Sequence, residues 1–192
     1  MKSQEIPIIF FLGPSGSGKT TSIEKIITKL NENTISVGTI KFIHHPTLTL
    51  DPVGKDSNRD KQAGALYTLN FAPKESVIII NKEHRETIND VKRILEQSGN
   101  ILPSVDVILC ESLNNPPPKS NVFISANSIS DIDQYLEPLE ECMILAILGT
   151  ISNIQNIPSQ YKGIPLYSAL NEQDLIKITK KILKISIEKR FL

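Results

Sequence analysis

The segment GPSGSGKT, which occupies residues 13–20, constrains the fold of this chain more than any other. It follows the apolar run IIFFL and precedes the amphipathic stretch TSIEKIITKL, so a glycine-rich turn is predicted between a β-strand and an α-helix. The spacing of Gly, four residues, Gly, Lys and Thr is typical of turns whose backbone N–H groups surround a phosphate group. A Gly/Ser-rich turn without a ligand is the alternative, and the flanking strand and helix disfavour it.

The chemistry of a phosphate-binding turn gives each type of residue in this segment a role. Glycines allow the backbone N–H groups to face the phosphate, and the positive end of the following helix adds to the attraction. Lys19 is predicted to reach the β- and γ-phosphates of a nucleotide, and the hydroxyl of Thr20 is predicted to bind Mg²⁺. The candidate nucleotide-binding residues are Gly13, Ser15, Gly16, Ser17, Gly18, Lys19, Thr20 and Thr21.

A Mg²⁺ site of this kind needs an acidic residue on a neighbouring strand, and the run VDVILCES offers Asp106 and Glu111. Ligands of parallel α/β sheets bind at the carboxyl ends of the strands. Glu111 is at that end of the run and is predicted to be a metal ligand together with Thr20. Asp106 is predicted to be a surface residue that begins the strand. Lys19 and Glu111 are the candidate catalytic residues.

Apolar, β-branched runs alternate with amphipathic stretches along most of the chain. The runs TISVGTIKF, SVIIIN, VDVILCE and MILAIL are predicted to be strands, and the last three lack polar alternation, as strands covered on both faces do. Helices are predicted over residues 87–97 and 171–190. The sequence therefore predicts one α/β domain over residues 1–192, with a doubly wound, mostly parallel sheet flanked by helices.

Composition disfavours several classes of function. The chain has 21 Lys+Arg and 21 Asp+Glu residues, so no overall field attracts it to nucleic acid or to an anionic membrane. Aromatic residues make up only 5% of the chain, which disfavours a stacking platform for single-stranded nucleic acid. The apolar run at residues 6–12 is too short to span a membrane. Cys110 and Cys142 lie in apolar stretches and are predicted to be reduced core thiols, which indicates the cytoplasm.

A long polar stretch follows the second predicted strand, and long irregular loops are often functional. Asp56 or Ser57 is predicted to cap a helix that leads to Ala65. Positive charges beside the amino end of such a helix favour a second phosphate or carboxylate; a solvated loop of mixed charge is the alternative. His44 and His45 are adjacent and point to opposite faces if they lie in a strand, so no transition-metal site is predicted.

The run IIINKEH resembles the guanine-reading Asn-Lys-x-Asp element of many GTPases, but His84 occupies the position of the aspartate. The element also precedes the strand that ends at Glu111 instead of following it. Coincidence is therefore the favoured interpretation, and the identity of the nucleotide base stays open.

Three blocks of the sequence together resemble the molybdopterin-guanine dinucleotide biosynthesis protein B family of GTP-binding proteins. They are GPSGSGKTTSIEKII, VGTIKFIHHPTLTLDPVGKDSNRDKQAGA and VILCES, and the last is followed by a Pro-Lys pair at residues 118–119. The second block is the distinctive one, and it changes the polar stretch from a solvated surface to a predicted site. Its residues that match family positions near a nucleotide or pterin cofactor are Lys41, His44, His45, Asp51, Gly54, Lys55, Asp56, Ser57 and Arg59.

The sequence departs from the family pattern at four positions. Phe42 replaces a common histidine, and Val53 replaces a proline. Asp60 replaces a histidine, and Ser112 replaces the glycine that usually follows the glutamate. No resemblance is recognised after about residue 120.

The resemblance implies a P-loop NTPase fold, GTP and Mg²⁺ as ligands, slow intrinsic hydrolysis, and molybdopterin as a second ligand. It also implies a homodimer that assists the guanylyltransferase joining GMP to molybdopterin, with molybdopterin-transferring proteins as further partners. Two other functions stay open: a P-loop small-molecule kinase that uses ATP or GTP, and an interaction module that a nucleotide only stabilises. The sequence does not decide between an enzyme and an accessory protein.

Overall fold

The computed structural model describes residues 6–43, 50–51, 53–80, 87–98, 102–113, 115–154 and 157–188. The predictions for His44 and His45, and for the Asn-Lys element at residues 81–84, lie outside these ranges. The strands and α-helices are, in chain order, β1 (Ile8–Leu12), α1 (Lys19–Glu32), β2 (Val37–Lys41), α2 (Asp56–Gln62), β3 (Tyr67–Phe71), β4 (Ser76–Ile80), α3 (Ile88–Ser98), β5 (Val107–Glu111), β6 (Asn121–Ser125), α4 (Ile129–Leu136), β7 (Met143–Leu148), β8 (Gln160–Tyr161), β9 (Ile164–Pro165) and α5 (Glu172–Glu188).

A parallel sheet of five strands forms the centre of the fold, in the order β2-β5-β1-β6-β7. Successive residues of its middle strand, β1, point to opposite faces. Ile9 and Phe11 pack in one core cluster with α1 and α5, whereas Phe10 and Leu12 pack in another with α3 and α4. Burial on both faces explains why β1 reads as a continuous apolar run. The predicted doubly wound, parallel sheet is therefore confirmed.

The apolar stripe predicted along the last helix is confirmed. Leu175, Ile178 and Ile182 of α5 are buried in the same core cluster as Ile23 and Ile26 of α1. These residues recur at intervals of three or four, so each helix turns one face to the sheet. Within the described residues no helix, α5 included, is long and apolar enough to cross a membrane.

The prediction that SVIIIN is a buried strand of the main sheet is wrong. Its first five residues form β4, which pairs antiparallel with β3 in a separate two-stranded hairpin. Six large apolar side chains of this hairpin are 41–81% exposed. An apolar run of five residues does not reveal what covers it. The run YTLNF is β3, and a short turn joins it to β4. Strand β4 therefore pairs with the strand that directly precedes it in the sequence.

Strand β6 and helix α4, which follow each other in the chain, were not predicted from the sequence. The start of α4 carries a capping box: the Ser128 hydroxyl oxygen accepts from the Asp131 N–H at 3.2 Å, and the Asp131 carboxylate accepts from the Ser128 N–H at 3.2 Å. This Ser-x-x-Asp spacing is a sequence signal for a helix start. The signal identifies α4 but not the buried strand β6 before it.

Asp106 lies where the chain enters β5, at the opposite edge of the sheet from the glycine-rich turn. Its carboxylate accepts hydrogen bonds from the N–H and the hydroxyl of Ser36, at 2.8 Å and 2.7 Å. Because Ser36 directly precedes β2, these bonds join the starts of two paired strands. Asp106 therefore has a structural role at the strand start.

Both cysteines are free thiols. Cys110 is fully buried in β5, and burial, with a smaller effect of the Glu111 carboxylate, raises the pKa of its thiol to about 12. Cys142 is half-buried, and its thiol donates to the Pro117 carbonyl at 3.6 Å. The prediction of a core thiol is confirmed for Cys110, and Cys142 lies at the margin of the core.

Replacing Ile26 by Ala is expected to lower the free energy of unfolding by about 2–5 kcal/mol, the usual cost of truncating a buried aliphatic side chain. Ile26 lies on α1 and is 0% exposed. Ile187→Ala is the matched control, because Ile187 lies on α5 and is 50% exposed; a change within about 0.5 kcal/mol is expected. Urea denaturation followed by circular dichroism measures both. Equal losses in the two variants would contradict the assignment of the buried face of α1.

Candidate functional site

The glycine loop, residues 13–20, leaves the carboxyl end of the central strand β1 and enters α1. Gly13 has φ +144°, and a Cβ at this position would overlap the carbonyl oxygen of Ser125 at the end of β6. No side chain larger than hydrogen fits there. The loop therefore approaches the end of β6 closely at Gly13, backbone against backbone.

The segment that follows β7 fastens the glycine loop from the other side. The Thr150 N–H donates to the Ser17 carbonyl at 3.1 Å. A Cβ on Gly149 would lie 2.5 Å from that carbonyl oxygen and 2.7 Å from backbone atoms of Ala126, so this position also requires glycine. Ser17, predicted as a binding residue, is fully buried and does not line the cavity that opens beside the glycine loop, which is described below. The structure gives Ser17 an anchoring position.

Lys19 begins α1, directly after Gly18, which has φ +85°. Its Nζ donates to the carbonyl oxygens of Gly13 and Pro14, both at 2.7 Å, so the ammonium group lies inside the curve of the loop. Burial lowers the pKa of Lys19. The carboxylate of Glu111 opposes this shift, and the charge of Lys41 adds to it. An anion placed beside this ammonium would relieve both unfavourable effects.

The carboxylate of Glu111 joins the two sides of the site. Its Oε1 accepts from the Thr20 hydroxyl at 3.0 Å, and its Oε2 lies 3.4 Å from the Nζ of Lys41. Glu111 ends β5 and Lys41 ends β2, and the two residues are register partners in the sheet. The Thr20–Glu111 pair is a set of hard oxygen donors beside the loop, which is the donor type that Mg²⁺ prefers. The residues present therefore fit this ion.

A cavity of about 560 Å³, here called the phosphate cavity, opens between the glycine loop and the ends of β2 and β5. It contains most of the residues that the sequence predicts for nucleotide binding. Its lining is Leu12, Gly13, Pro14, Ser15, Gly16, Gly18, Lys19, Thr20, Thr21, Lys41, Glu111, Ser112 and Tyr135.

Four of the lining residues, Leu12, Pro14, Ser112 and Tyr135, were not among the residues predicted for binding, and the last two lie outside the glycine-rich segment and the strand before it. Ser112 follows Glu111 with φ +68°, a left-handed conformation that favours glycine. This conformation accounts for the glycine that the family pattern has at this position, and a serine there is strained. Tyr135 lies on α4. The capping box could have identified that helix, but no sequence signal places Tyr135 at the cavity.

The structure separates the site residues that were predicted in the second block of the sequence, from Lys41 to Arg59. Lys41 lines the phosphate cavity, whereas the described residues from Gly54 to Arg59 do not. Asp51 is 4% exposed and accepts a hydrogen bond from the Ser57 hydroxyl at 2.7 Å, so this bond links Asp51 to the first turn of α2. The binding roles of Gly54, Lys55, Asp56 and Arg59 stay predictions.

The predicted helix after Gly54 exists as α2, but its start is not where the sequence places it. Lys55 is the N-cap residue, no side chain caps the helix, and Asp56 is already helical. The Ser57 hydroxyl is directed to Asp51 instead of to the backbone of α2. Arg59 pairs at 3.7 Å with Asp56 on an exposed face. The capping prediction is therefore wrong for both residues, because Asp56 and Ser57 already lie within the first turn of α2, past the N-cap position.

Comparison with known proteins gives consistent matches. The sequence model of the family described as Molybdopterin guanine dinucleotide synthesis protein B matches residues 8–144. The Molybdopterin-guanine dinucleotide biosynthesis adapter protein of Haemophilus influenzae is 30% identical over 165 residues, which cover 81% of this chain and 86% of that protein. The probable adapter protein of the same description from Bacillus subtilis is 28% identical over 167 residues, with coverage of 85% and 86%.

Solved structures with similar folds point the same way. The crystal structure of Bacillus subtilis MobB matches with a TM-score of 0.69 at 20% identity, covering 91% of this chain and 97% of that one. The MobB homologue from Bacillus stearothermophilus matches with a TM-score of 0.59 at 17% identity, covering 96% and 99%. These matches confirm the α/β fold, with its central parallel sheet flanked by helices. By its sequence, this chain belongs to the molybdopterin-guanine dinucleotide synthesis protein B family.

Proposed function

We propose that this chain is a GTP-binding protein with slow GTPase activity that assists the attachment of GMP to molybdopterin. The observation that carries the proposal is the position of the Lys19 ammonium, which lies inside the glycine loop at 2.7 Å from two loop carbonyls. Carbonyl oxygens are weaker partners for an ammonium than phosphate oxygens are. The phosphates of a nucleoside triphosphate are therefore better partners for Lys19 than the carbonyl oxygens of the loop.

Magnesium is proposed to bind beside the nucleotide at Thr20 and Glu111, whose oxygens are 3.0 Å apart. The ion would supply charge neutralisation for the phosphates. In the structure the Thr20 hydroxyl donates a hydrogen bond to the Glu111 carboxylate, and Lys41 balances the charge of that carboxylate. Lys19 and Glu111 are the proposed catalytic residues: Lys19 contacts the phosphates, and Glu111 holds the metal or its water.

Hydrolysis is proposed to be slow because no arginine is found among the described residues that line the phosphate cavity. Among the described residues that line it, Lys19 and Lys41 are the basic ones, and none is arginine. An arginine that contacts the transferring phosphate accelerates such reactions by about 10³–10⁵-fold. This composition favours an accessory role over that of a fast hydrolase.

Molybdopterin is proposed as the second ligand, held at the outer part of the phosphate cavity. The cavity extends beyond the glycine loop to Lys41, Ser112 and Tyr135, which offer a positive charge, a hydroxyl and an aromatic ring. A phosphate-bearing pterin combines an anion with a planar heterocycle, so it suits such a wall. The residues at Gly54–Arg59 are proposed to complete this site when partner proteins bind.

The proposed partners are the guanylyltransferase that joins GMP to molybdopterin and the proteins that transfer molybdopterin. The relative from Haemophilus influenzae is described as an adapter protein in this biosynthesis, which supports a role in bringing proteins together. We place this activity in the cytoplasm, where free thiols such as those of Cys110 and Cys142 persist.

A homodimer is proposed, with the β3–β4 hairpin as the interface between the two copies. Isolated two-stranded hairpins are marginally stable in water. This one exposes apolar side chains such as Phe71 (81%) and Ile78 (41%), and its strands pair with each other and with no other strand in the described part of the chain. Pairing with a second hairpin would bury both the apolar surface and the free strand edges.

Lys19→Ala is expected to weaken binding of Mg²⁺–GTP by about 10- to 100-fold, because a charge-assisted hydrogen bond contributes about 1.5–3 kcal/mol. Isothermal titration of the folded variant against the wild type measures the loss. Lys25→Ala is the matched control, since Lys25 is an exposed lysine on the same helix, and its affinity is expected to equal that of the wild type.

A folded wild-type protein that binds no GTP would refute the nucleotide proposal. If ATP binds in preference to GTP, and its labelled phosphate appears on an acceptor from a panel of small hydroxyl compounds, the kinase alternative replaces the accessory role. Titration with molybdopterin in the same samples tests the second ligand, whose binding is expected to survive Lys19→Ala.

Ile78→Lys is expected to convert the dimer to a monomer, since it places a charge on the proposed hairpin interface, opposite Leu69. Sedimentation velocity measures the change. Met143→Lys is the matched control, because Met143 is 62% exposed at the start of an edge strand of the main sheet. Dissociation by Met143→Lys but not by Ile78→Lys would place the interface on the main sheet and contradict the hairpin proposal.

A further inference from the structure

Another cavity, of about 250 Å³, opens at the amino edge of the central sheet and is called the amino-edge cavity below. It lies beside the residues that lead into β1 and β6, two parallel strands that pair with each other. The glycine loop leaves the opposite, carboxyl end of β1. Because β1 has five residues, the two edges are about 16 Å apart. Within the described part of the chain, this cavity and the phosphate cavity share no lining residue.

Three segments form the walls of the amino-edge cavity. Residues 6–8 and Phe10 contribute one wall, Ile88 and Lys92 of α3 contribute the second, and residues 117–121 contribute the third. Phe10 and Ile88 are buried members of the same core cluster, so these two walls are held by the core. Pockets for small molecules usually have about 300–1,000 Å³. The amino-edge cavity therefore suits one or two side chains of another protein better than a whole cofactor.

Hydrogen bonds fix the third wall. The Ser120 N–H donates to the Pro117 carbonyl at 3.2 Å and closes a tight turn. The Lys119 N–H donates to the Glu141 carbonyl at 2.8 Å, and the Met143 N–H donates to the Ser120 carbonyl at 2.9 Å. These bonds tie the turn to the segment that enters β7. The third wall is therefore shaped before a partner binds, which lowers the entropic cost of binding.

Lys119 occupies this turn in a left-handed conformation, with φ +64°. This conformation is unfavourable for lysine, whereas glycine adopts it without steric cost. Strained residues of this kind occur mainly at functional sites, where the side chain compensates for the strain. The presence of a lysine in the turn therefore indicates that its side chain has a role at the cavity.

The charges of the amino-edge cavity have one sign. Among the described residues that line it, the charged ones are Lys92 and Lys119, and none is acidic. Lys92 is half-buried on α3, whereas Lys119 is exposed on the turn. The rest of the lining is mainly isoleucine, proline and phenylalanine. Two ammonium groups beside an apolar surface suit a carboxylate that stands next to an apolar side chain.

We propose that the amino-edge cavity is a docking site for a partner protein, which places an acidic segment with an apolar anchor between Lys92 and Lys119. This inference rests on the proposed function, because it assigns the surface to the guanylyltransferase that is proposed there as a partner. A protein that docks at this edge leaves the phosphate cavity open. The chain can therefore hold a nucleotide at one edge of the sheet and a second protein at the other.

Lys92→Glu and Lys119→Glu are each expected to weaken binding of the purified guanylyltransferase at least about tenfold, because each sets a carboxylate against the acidic segment. Biolayer interferometry measures the affinity, which is expected to fall for the wild type as the salt concentration rises. Lys180→Glu is the matched control and is expected to bind as the wild type does. Lys180 is an exposed lysine of α5, a helix that packs on the other face of the sheet.

Two further variants separate the Lys119 side chain from the backbone of its turn. Lys119→Gly is expected to keep or raise the midpoint of urea denaturation, because glycine accepts the left-handed φ, and to weaken guanylyltransferase binding about tenfold. Lys119→Arg keeps the positive charge and is expected to keep the affinity within about threefold. A lower midpoint with unchanged affinity in Lys119→Gly would show that the lysine serves the turn alone, which overturns the inference.

Titration of the same samples with Mg²⁺–GTP distinguishes this inference from the proposed function. All the variants are expected to bind GTP as the wild type does, and selective loss of guanylyltransferase binding supports the docking site. If the wild type binds both ligands and the charge variants still bind the guanylyltransferase normally, the partner docks elsewhere and the inference is overturned. If the wild type binds GTP but no guanylyltransferase, the proposed partner is wrong and the inference fails with it.

Discussion

The turn from β1 into α1 depends on one close backbone contact, between Gly13 and the end of β6. A Cβ on Gly13 would overlap the Ser125 carbonyl oxygen, and a Cβ on Gly149 would lie 2.5 Å from the Ser17 carbonyl oxygen. These contacts fix the glycine loop between β1, β6 and the segment after β7. The loop is therefore shaped before any ligand arrives, and the positions of Lys19 and Thr20 follow from that shape.

Each charged group around the loop pairs with another group of the protein, at the place where a ligand that carries both positive and negative charge would bind. Lys19 is held by two loop carbonyls, and Glu111 is shared between Thr20 and Lys41. A free anion would satisfy the lysines but would lie close to the Glu111 carboxylate. A magnesium–nucleotide complex offers phosphate oxygens to the lysines and a cation to the carboxylate, so it satisfies both signs at once.

The part of the site that local spacing determines was predictable from sequence. The positions of Lys19, Thr20 and Glu111 follow from a strand–turn–helix pattern and from the rule that ligands bind at the carboxyl ends of parallel strands. The exposed β3–β4 hairpin was not predictable, because an apolar run carries no information about its covering partner. The placement of Tyr135 also escaped, since it depends on how α4 packs over distant strands. Ser57 shows the same limit, because α2 begins at Asp56 and the Ser57 hydroxyl donates to the distant carboxylate of Asp51.

The structure of the complex with Mg²⁺ and a non-hydrolysable GTP analogue tests the central claim most directly. The account predicts that the Lys19 Nζ leaves the carbonyls of Gly13 and Pro14 for phosphate oxygens. It also predicts that the metal lies on the side of Thr20 and Glu111. A nucleotide bound elsewhere, with Lys19 still on the two loop carbonyls and Thr20 still donating to Glu111, would contradict it.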